Sequence, residues 1–491
     1  MNHFKTIGVP AIPVFGKNMG RGTPMAKRNL PQPFGIDKIS FKDCFTAPSL
    51  RHFAVLITGW ALTVGTHTIT QVILATGLHE SEHFATIYKF LGKTKWELDR
   101  VAFEVFWTMA ETLLPGAVEY ETVVDDTLNS HVGKRICGAG VQHDGNAPKT
   151  GKPIGYGVCF VTIGLVVQLP GISDRAFCLP YAARLWWPRK TKVKPAGGNY
   201  KSKSQLAVEL IRLTRSWLHN SITLRVIVDG GYANRIVIRN RPRGVHITGK
   251  LRKDAALYGL VDAEQTGKRG RPRQKGERLP TPASLFRGSK NHWDYILIRL
   301  YAQNTMVSVH QFDAIWYNTA GNEPLSIVLV HDPCGTYPDV AFFDTDIGAS
   351  DEETIKRYSH RWSTEITNRE TKSLLGSADP QCRLETSVTR APMIAYWSYS
   401  LVVVWFVTQF RMGKDLFLQR TPWNFRKKNI TFSDMLAAAR RSHFDQRISR
   451  DHGKRVNTTK ITLPRVNPQL RGADLLGFIF ISRFVERWIR D

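Results

Sequence analysis

The order of strand and helix signals between residues 117 and 232 constrains the fold more than any other feature of this chain. Three β-branched or apolar runs come first, a segment with helical spacing follows, and a fourth run stops at an acid and two glycines. The strand runs are "AVEYETVVDDT" (117–127), "GVCFVTIGLVVQ" (157–168), "RAFCLPYAARLWW" (175–187) and "ITLRVIVDGGY" (222–232). The helical segment is "SQLAVELIRLTRSWLHN" (204–220). This order of strands and helix predicts an α/β fold.

The rest of the chain divides into flanking and inserted regions. Residues 50–112 have helical signals, and two short helices that meet at Gly77 have the outline of a helix-turn-helix. Residues 240–345 carry closely spaced β-type runs, which predict a β-rich insertion. We predict a basic flexible arm (1–49), a helical DNA-binding region (50–112), the first part of the core (113–239), the insertion (240–345), the second part of the core (346–440) and a basic C-terminal region (441–491).

The net charge limits the partners of the chain. Lys and Arg number 68 against 41 Asp and Glu, which gives a formal charge of +27. An excess of this size favours a polyanionic partner, nucleic acid first and an acidic membrane surface second, over a merely soluble basic protein. Cations crowd into residues 268–278, among them Arg269, Arg271 and Arg273. We interpret this loop as an arm that tracks phosphates; a solvated charge run is the alternative.

Cysteine spacing and apolar content exclude two other classes of protein. No two of the six cysteines lie within ten residues of each other, so the sequence has no CxxC-type metal or redox pair, and free thiols are expected. The most apolar run covers residues 394–410 and includes Ser, Thr and Gln among its 17 residues. A membrane span needs about 20 apolar residues. A buried core helix or strand is therefore predicted here.

Residues 350–376 have the signals of one long charged helix. Ser350 and Glu353 match a capping box at its start, and Gly376 is a stop signal at its end. A helix of about 25 residues would extend about 37 Å.

Four functional side chains share one side of this predicted helix. At about 100° per residue, with Tyr358 at 0°, Arg361, Glu365 and Lys372 fall at about 300°, 340° and 320°. Two further titratable residues fall outside this arc, Glu370 at about 120° and His360 at about 200°, and we assign no role to either. One acid flanked by cations and a phenol predicts a metal ligand beside a phosphate clamp. An exposed ion pair of Arg361 with Glu365 is the alternative.

A metal site needs more than one carboxylate, and two strands supply candidates. Asp126 lies at the end of the first core strand, next to Asp125, and Asp229 ends the strand after the helix. Mg²⁺ prefers carboxylate and phosphate oxygens, and a pair of such ions can serve phosphoryl transfer. Asp346, just before the charged helix, is a minor rival ligand. Taken singly, each Asp also fits a strand-end cap or turn.

These residues match the pattern of a known family. Tyr358, Arg361, Glu365 and Lys372 form the signature Y-(2)-R-(3)-E-(6)-K, preceded by "DDT" at 125–127 and "VDGGY" at 228–232. In this pattern, and over roughly residues 50–440, the chain resembles the bacterial insertion-sequence transposases with a transposase DDE domain. The resemblance implies an RNase H-like core interrupted by a β-rich insertion, with an N-terminal helical domain. It also implies a cytoplasmic, nucleoid-associated bacterial protein.

The resemblance assigns a role to each site residue. Asp126, Asp229 and Glu365 would be catalytic ligands of two Mg²⁺ or Mn²⁺ ions, because family members carry Asp followed by Ser or Thr, which favours Asp126 over Asp125. The implied reaction is hydrolysis at transposon ends, followed by attack of the freed 3′-OH on target DNA by a homodimer that holds paired ends. The residues implied to contact DNA are Tyr358, Arg361 and Lys372 at the ends, and Trp293 and Trp316 as candidates for stacking on a flipped base.

Two other functions fit the same sequence. An RNase H-like nuclease without strand transfer would use the same core. A domesticated DNA-binding regulator would do no chemistry at all. The sequence does not separate these from a transposase.

Overall fold

The protein is described here from a computed structural model. It describes residues 41–77, 83–144, 153–196, 198–261, 273–288, 292–300, 303–335, 337–414, 416 and 429–453. The chain divides into two compact units, Met1–Arg441 and Ser442–Asp491, and the fold below is that of the first. Predictions for the arm up to residue 40, for Arg269 and Arg271, and for the C-terminal region beyond residue 453 lie outside the described residues.

Ten strands of the described chain form one mixed sheet. They are β1 Glu119–Ser130, β2 Gly140–His143, β3 Ile154–Leu169, β4 Ser173–Trp186, β5 Thr223–Val228, β6 Val245–Leu251, β7 Asp294–Leu300, β8 Gln303–Ile315, β9 Pro324–His331 and β10 Val340–Asp344. Their order is β2-β3-β1-β5-β6-β10-β9-β8-β7, and β4 also pairs with β3.

Helices cover this sheet and precede it in the chain. They are α1 Ala47–Leu62, α2 Ile69–Thr76, α3 Phe84–Gly92, α4 Leu98–Leu113, α5 Lys203–Trp217, α6 Arg235–Arg239, α7 Pro282–Arg287, α8 Tyr317–Ala320, α9 Asp351–Ser359, α10 Trp362–Ser373, α11 Glu385–Arg411 and α12 Phe432–Gly453. The helical character of residues 50–112 is thus as predicted, and Gly77 ends α2 in the left-handed conformation with φ 71°. Residues 78–82 between α2 and α3 are outside the described chain, and DNA contact by this region stays a prediction.

The centre of the sheet contains the strands and the helix that the sequence predicts, in the predicted order along the chain. β1, β3 and β4 pair antiparallel, α5 follows, and β5 and β6 then add parallel to β1. Ser202 and Gln205 form a capping box that fixes where α5 begins. The predicted α/β class is confirmed, and the order β4-β3-β1-β5-β6 is consistent with an RNase H-like core.

The strands between residues 240 and 345 continue this sheet, and the β-rich insertion over these residues stays a prediction. β6 pairs with β5, with Leu224 opposite Val245, and β10 pairs with β6, with Phe343 opposite Gly249. β9, β8 and β7 then extend the sheet from β10. Both edges of β6 are therefore hydrogen-bonded, one to β5 and the other to β10.

The apolar run at 394–410 forms the interior of α11. By length and composition alone, α11 could cross a membrane, but 94% of its most apolar window is buried inside the protein. Trp397 Nε1 donates to the carbonyl of Tyr181 at 2.8 Å, and Ser400 Oγ donates to the carbonyl of Pro180 at 2.8 Å. These bonds satisfy carbonyls of β4. The prediction of a buried core helix is confirmed, and all six cysteines are free, as expected.

Arg390 of α11 joins the N-terminal helices to the core. Its guanidinium donates to the carbonyls of Phe90, Leu91, Thr94 and Trp96 at 2.5–3.3 Å. It also stacks on the Trp96 ring at 4.0 Å. One buried side chain therefore satisfies the carbonyls at the end of α3 and in the loop before α4.

Arg390→Ala should lower the free energy of unfolding by about 3 kcal/mol, because it leaves buried carbonyls without donors. Arg390→Lys should recover only part of this loss, since one ammonium cannot replace the planar donors of a guanidinium. Urea unfolding followed by circular dichroism measures both. Arg252→Ala, which removes a fully exposed pair with Asp254, is the control and should change nothing; equal midpoints for all variants would contradict the role of Arg390.

Candidate active site

The parallel pairing of β1 with β5 sets Asp125 beside Asp229. The register places Val124 opposite Val228, so the next residues are Asp125 of β1 and Asp229, which directly follows β5. Neighbouring strands lie about 4.8 Å apart, and residues in register point to the same face of a sheet. The two carboxyl groups therefore lie side by side on one face of the sheet.

Asp126 points to the opposite face, which corrects its predicted grouping with Asp229 and Glu365. Consecutive residues of a strand alternate between faces. Asp126 is engaged there by Lys203 Nζ at 2.5 Å, by the Tyr232 hydroxyl at 2.9 Å and by Cys159 Sγ at 3.6 Å. Asp126 is thus a hydrogen-bonded ion-pair partner on the face opposite to Asp125.

The charged helix is two helices rather than the single one predicted. The capping box of Ser350 and Glu353 is present, but α9 ends at Ser359 and α10 begins at Trp362. Between them the amides bond three residues back instead of four. His360 and Arg361 keep right-handed backbone conformations, so the side-chain directions continue approximately through the break.

Tyr358 and Arg361 lie where α9 meets α10, on the face of the sheet that carries Asp125. Tyr358 packs against the cluster of Val123, Val166, Cys178 and Ile227, and its ring lies 4.5 Å from that of Phe342. The Arg361 guanidinium carbon lies 5.9 Å from the Tyr358 ring centre.

Glu365 and the rest of α10 follow on the same face. Arg361 Nη2 donates to Glu365 Oε1 at 2.5 Å. Thr367 Oγ1 donates to the Cys178 carbonyl of β4 at 2.8 Å, which ties α10 to the sheet. Glu370 points away, as predicted, and accepts a hydrogen bond from the Tyr399 hydroxyl at 3.0 Å.

The electrostatics of Asp125 show that the site concentrates negative charge. Burial first, and the charge of Asp229 second, raise the pKa of Asp125 to about 7, while Arg361 acts in the opposite direction. Burial also lowers the pKa of Lys372, against the attraction of Asp144, Cys159 and Asp125. Arg361 and Lys372 of the signature therefore lie within electrostatic reach of Asp125.

The acids present fit a divalent cation, although they do not form a complete ligand set. Within the described residues, no three His, Cys, Asp or Glu side chains lie close enough to hold a metal ion. Asp229 Oδ1 accepts from the amides of Gly231 and Tyr232 at 2.9 and 3.0 Å, which leaves Oδ2 open. Two side-by-side carboxylates, of which Asp125 has its pKa raised by burial and by the charge of Asp229, suit Mg²⁺ or Mn²⁺. Glu365 would complete the set on leaving Arg361.

Comparison with known proteins identifies the family. The model of the family described as DDE superfamily endonuclease matches residues 40–294, just over half of the chain. The chain belongs to this family. No curated protein matches the chain significantly. The matched range of this endonuclease contains Asp125 and Asp229 and ends before α9 and α10.

The two tryptophans predicted to stack on DNA bases differ in how far their side chains are exposed. Trp316 is only 7% exposed and packs in the core, with its ring 5.7 Å from Phe343. Its prediction as a base-stacking residue is wrong for this reason. Trp293 is half-buried, with its ring 6.0 Å from those of Phe286, His310 and His331.

Two other predicted residues lie apart from the paired acids. Asp346 pairs with Arg225 at 2.6 Å. Arg225 lies four residues before Asp229 on β5, so the role of Asp346 as a rival ligand is not supported. Arg273 is exposed next to the undescribed residues 262–272.

Sequence reasoning missed several residues of this endonuclease. Strand alternation puts the two adjacent acids of "DDT" on opposite faces of the sheet. Which of them faces Asp229 depends on the register with β5. Lys203 lies just before the helical segment predicted at 204–220, although the pattern of Ser202 and Gln205 marks a helix start there. The bond from Tyr232 to Asp126 has no signal in the sequence.

Asp125→Asn should stabilise the protein at high pH. The pKa of the Asp125 carboxyl is 3.8 in the unfolded chain and about 7 in the folded protein. Its ionisation therefore lowers the free energy of unfolding in full above pH 7, and not at all below about pH 4. The amide should therefore raise the free energy of unfolding by about 2–4 kcal/mol at pH 8 in EDTA, and by little at pH 4. Asp126→Asn is the matched control and should lower it by about 1 kcal/mol, because it weakens the pair with Lys203. Chemical denaturation at both pH values measures this, and a destabilised Asp125→Asn at pH 8 would contradict the assignment.

Proposed function

We propose that this DDE superfamily endonuclease is a DNA transposase that cleaves transposon ends and joins the freed 3′-OH to target DNA. The observation that carries the proposal is the pair of Asp125 and Asp229, side by side next to the helix of Glu365. Membership of the family already gives the chain a transposase- or nuclease-type function. The joining step and the use of two metal ions belong to the proposal.

Asp125, Asp229 and Glu365 would hold two Mg²⁺ or Mn²⁺ ions. When bound, two such ions activate the attacking oxygen and stabilise the leaving oxygen in an in-line displacement. The Asp229 carboxylate is already oriented by two backbone amides. Glu365 is paired with Arg361, so it must give up this partner to become a ligand.

Arg361 would pass from Glu365 to a DNA phosphate in the same rearrangement. Its Nε is buried and has no hydrogen-bond acceptor among the described residues, which leaves a donor for a phosphate oxygen. Lys372 lies in the field of Asp125 and adds a second cation. The Tyr358 hydroxyl would add a donor beside them. Two cations and a phenol suit the phosphate that flanks the cleaved bond.

The DNA duplex would extend from this site over basic surfaces of the chain. The formal charge of +27 supports a polyanionic substrate. We assign further contacts to the helical region at 50–112, to the loop with Arg269, Arg271 and Arg273, and to Trp293. The proposal includes a homodimer with one copy at each transposon end, in a bacterial cytoplasm.

Divalent cations should stabilise the wild-type protein. Mg²⁺ or Mn²⁺ relieves the repulsion of two neighbouring carboxylates, so millimolar ion should raise the melting temperature measured by differential scanning fluorimetry. Asp125→Asn and Asp229→Asn should abolish the shift, and Asp126→Asn should retain it. A shift that is lost with Asp126→Asn but kept with Asp125→Asn would restore the assignment made from the sequence.

Cleavage and joining test the reaction itself. The protein is incubated with Mg²⁺, a supercoiled target plasmid and duplexes that carry the sequences flanking its own gene. Insertion products are expected from wild-type protein and Asp126→Asn, whereas Asp125→Asn and Glu365→Gln should lose both steps by a factor of about 10³ or more.

The outcomes separate the candidate functions. Cleavage without joined product would identify a nuclease. DNA binding without any metal-dependent cleavage would identify a regulator. Unchanged cleavage by Glu365→Gln would exclude the proposed site.

A further inference from the structure

The break between α9 and α10 is held by a side chain to which the sequence gave no role. His360 is the residue that ends α9, and its backbone amide donates to the carbonyls of Arg357 and Tyr358. Its side chain is only 11% exposed. Glu365, which must approach Asp125 and Asp229, follows five residues later, so the orientation of the break determines where α10 begins.

The His360 ring is held at both nitrogens by the sheet. Its Nδ1 lies 2.8 Å from Glu121 Oε2, and its Nε2 lies 2.9 Å from Gln168 Nε2. A carboxylate only accepts and an amide nitrogen only donates. Nδ1–H therefore donates to Glu121, and Nε2 accepts from Gln168. β1 and β3 together fix both the tautomer and the plane of the ring.

Glu121 connects this ring to the strand of the paired acids. It lies four residues before Asp125 on β1, and the alternation of a strand puts both side chains on the same face. Although burial opposes it, the hydrogen bond from His360 and the charge of Arg357 hold the pKa of Glu121 below its ordinary value. The carboxylate is thus ionised and acts as acceptor.

Arg357 connects Glu121 of β1 to Asp344 of β10. Its Nε lies 3.6 Å from Glu121 Oε1, and its Nη1 lies 2.9 Å from Asp344 Oδ2. Asp344 on β10 is fully buried and also accepts from Thr248 Oγ1 on β6 at 2.6 Å. The end of α9 is therefore fixed to β10 and β6 as well as to β1 and β3.

We propose that His360, held between Glu121 and Gln168, is a positioning residue that sets the angle of the α9–α10 break and so places Glu365 over Asp125 and Asp229. This proposal rests on the proposed function, because it concerns the same carboxylates. His360 itself touches neither the paired acids nor Glu365. Its effect on the reaction would pass through the break, which carries Arg361 and then Glu365.

Metal-dependent DNA cleavage by the full-length chain tests this role. His360→Ala should lower the single-turnover rate by about 10- to 100-fold, because a displacement of about 1 Å in a reacting group costs this much. The apparent Kd for end DNA should remain within about twofold of wild type, since the phosphate-binding residues are retained. His360→Asn keeps a donor near the Nδ1 position and should recover most of the rate. Gln168→Ala leaves the Glu121 bond intact and should show an intermediate loss.

The controls separate failure of this inference from failure of the proposed function. Inactive wild-type protein would overturn the proposed catalytic function and with it this inference. Active wild-type protein together with a folded, fully active His360→Ala would overturn the positioning role alone. If His360→Ala does not fold, His360→Asn and Gln168→Ala decide: a rate equal to wild type for Gln168→Ala, or a loss of about 10-fold or more for folded His360→Asn, contradicts the proposal. His219→Ala removes a histidine that bonds Ser221 ahead of β5, at the other end of that strand from Asp229, and should leave the rate unchanged.

Discussion

The register between β1 and β5 is the constraint on which the site depends. It sets the carboxyl groups of Asp125 and Asp229 beside each other, in a partly buried position where like charges are costly. A fold selected only for stability would not keep Asp125 beside Asp229 without a compensating cation. Burial and the charge of Asp229 raise the pKa of Asp125, which means that its ionised form costs folding free energy. Arg361 reduces this cost, and a cation bound by the two carboxyl groups would reduce it further.

The surrounding structure makes this arrangement rigid. α11 is buried through most of its length and donates hydrogen bonds from Trp397 and Ser400 to β4. β4 in turn accepts from Thr367 of α10. Trp60 of α1 donates to the Leu375 carbonyl just after α10 at 2.7 Å. The helix that carries Glu365 is therefore held by the sheet, the core helix and the N-terminal helices together, as a site on fixed elements requires.

Much of the fold and part of the site could be predicted from local patterns. The four central strands, α5 and the capping box at Ser350 depend on nearest neighbours in sequence, so their signals are complete in the chain itself. The shared arc of Tyr358, Arg361, Glu365 and Lys372 follows from helical periodicity. It survives the break because Arg361 keeps a helical backbone. The break itself could not be predicted, since the contact that accompanies it joins His360 to Glu121, 239 residues away.

The sequence by itself determined an α/β chain of high positive charge, with acids at strand ends and an acid among cations on one helix side. Only the tertiary structure decided which acids meet. Neighbouring residues of a strand point to opposite faces, so the two acids of "DDT" lie on different faces of the sheet. The pairing of β1 with β5 places Asp125, and not Asp126, on the same face as Asp229. The same pairing leaves Asp126 to Lys203 and Tyr232 on the other face. Chemistry can be inferred from residue types, but the choice between adjacent residues depends on which strand lies beside them.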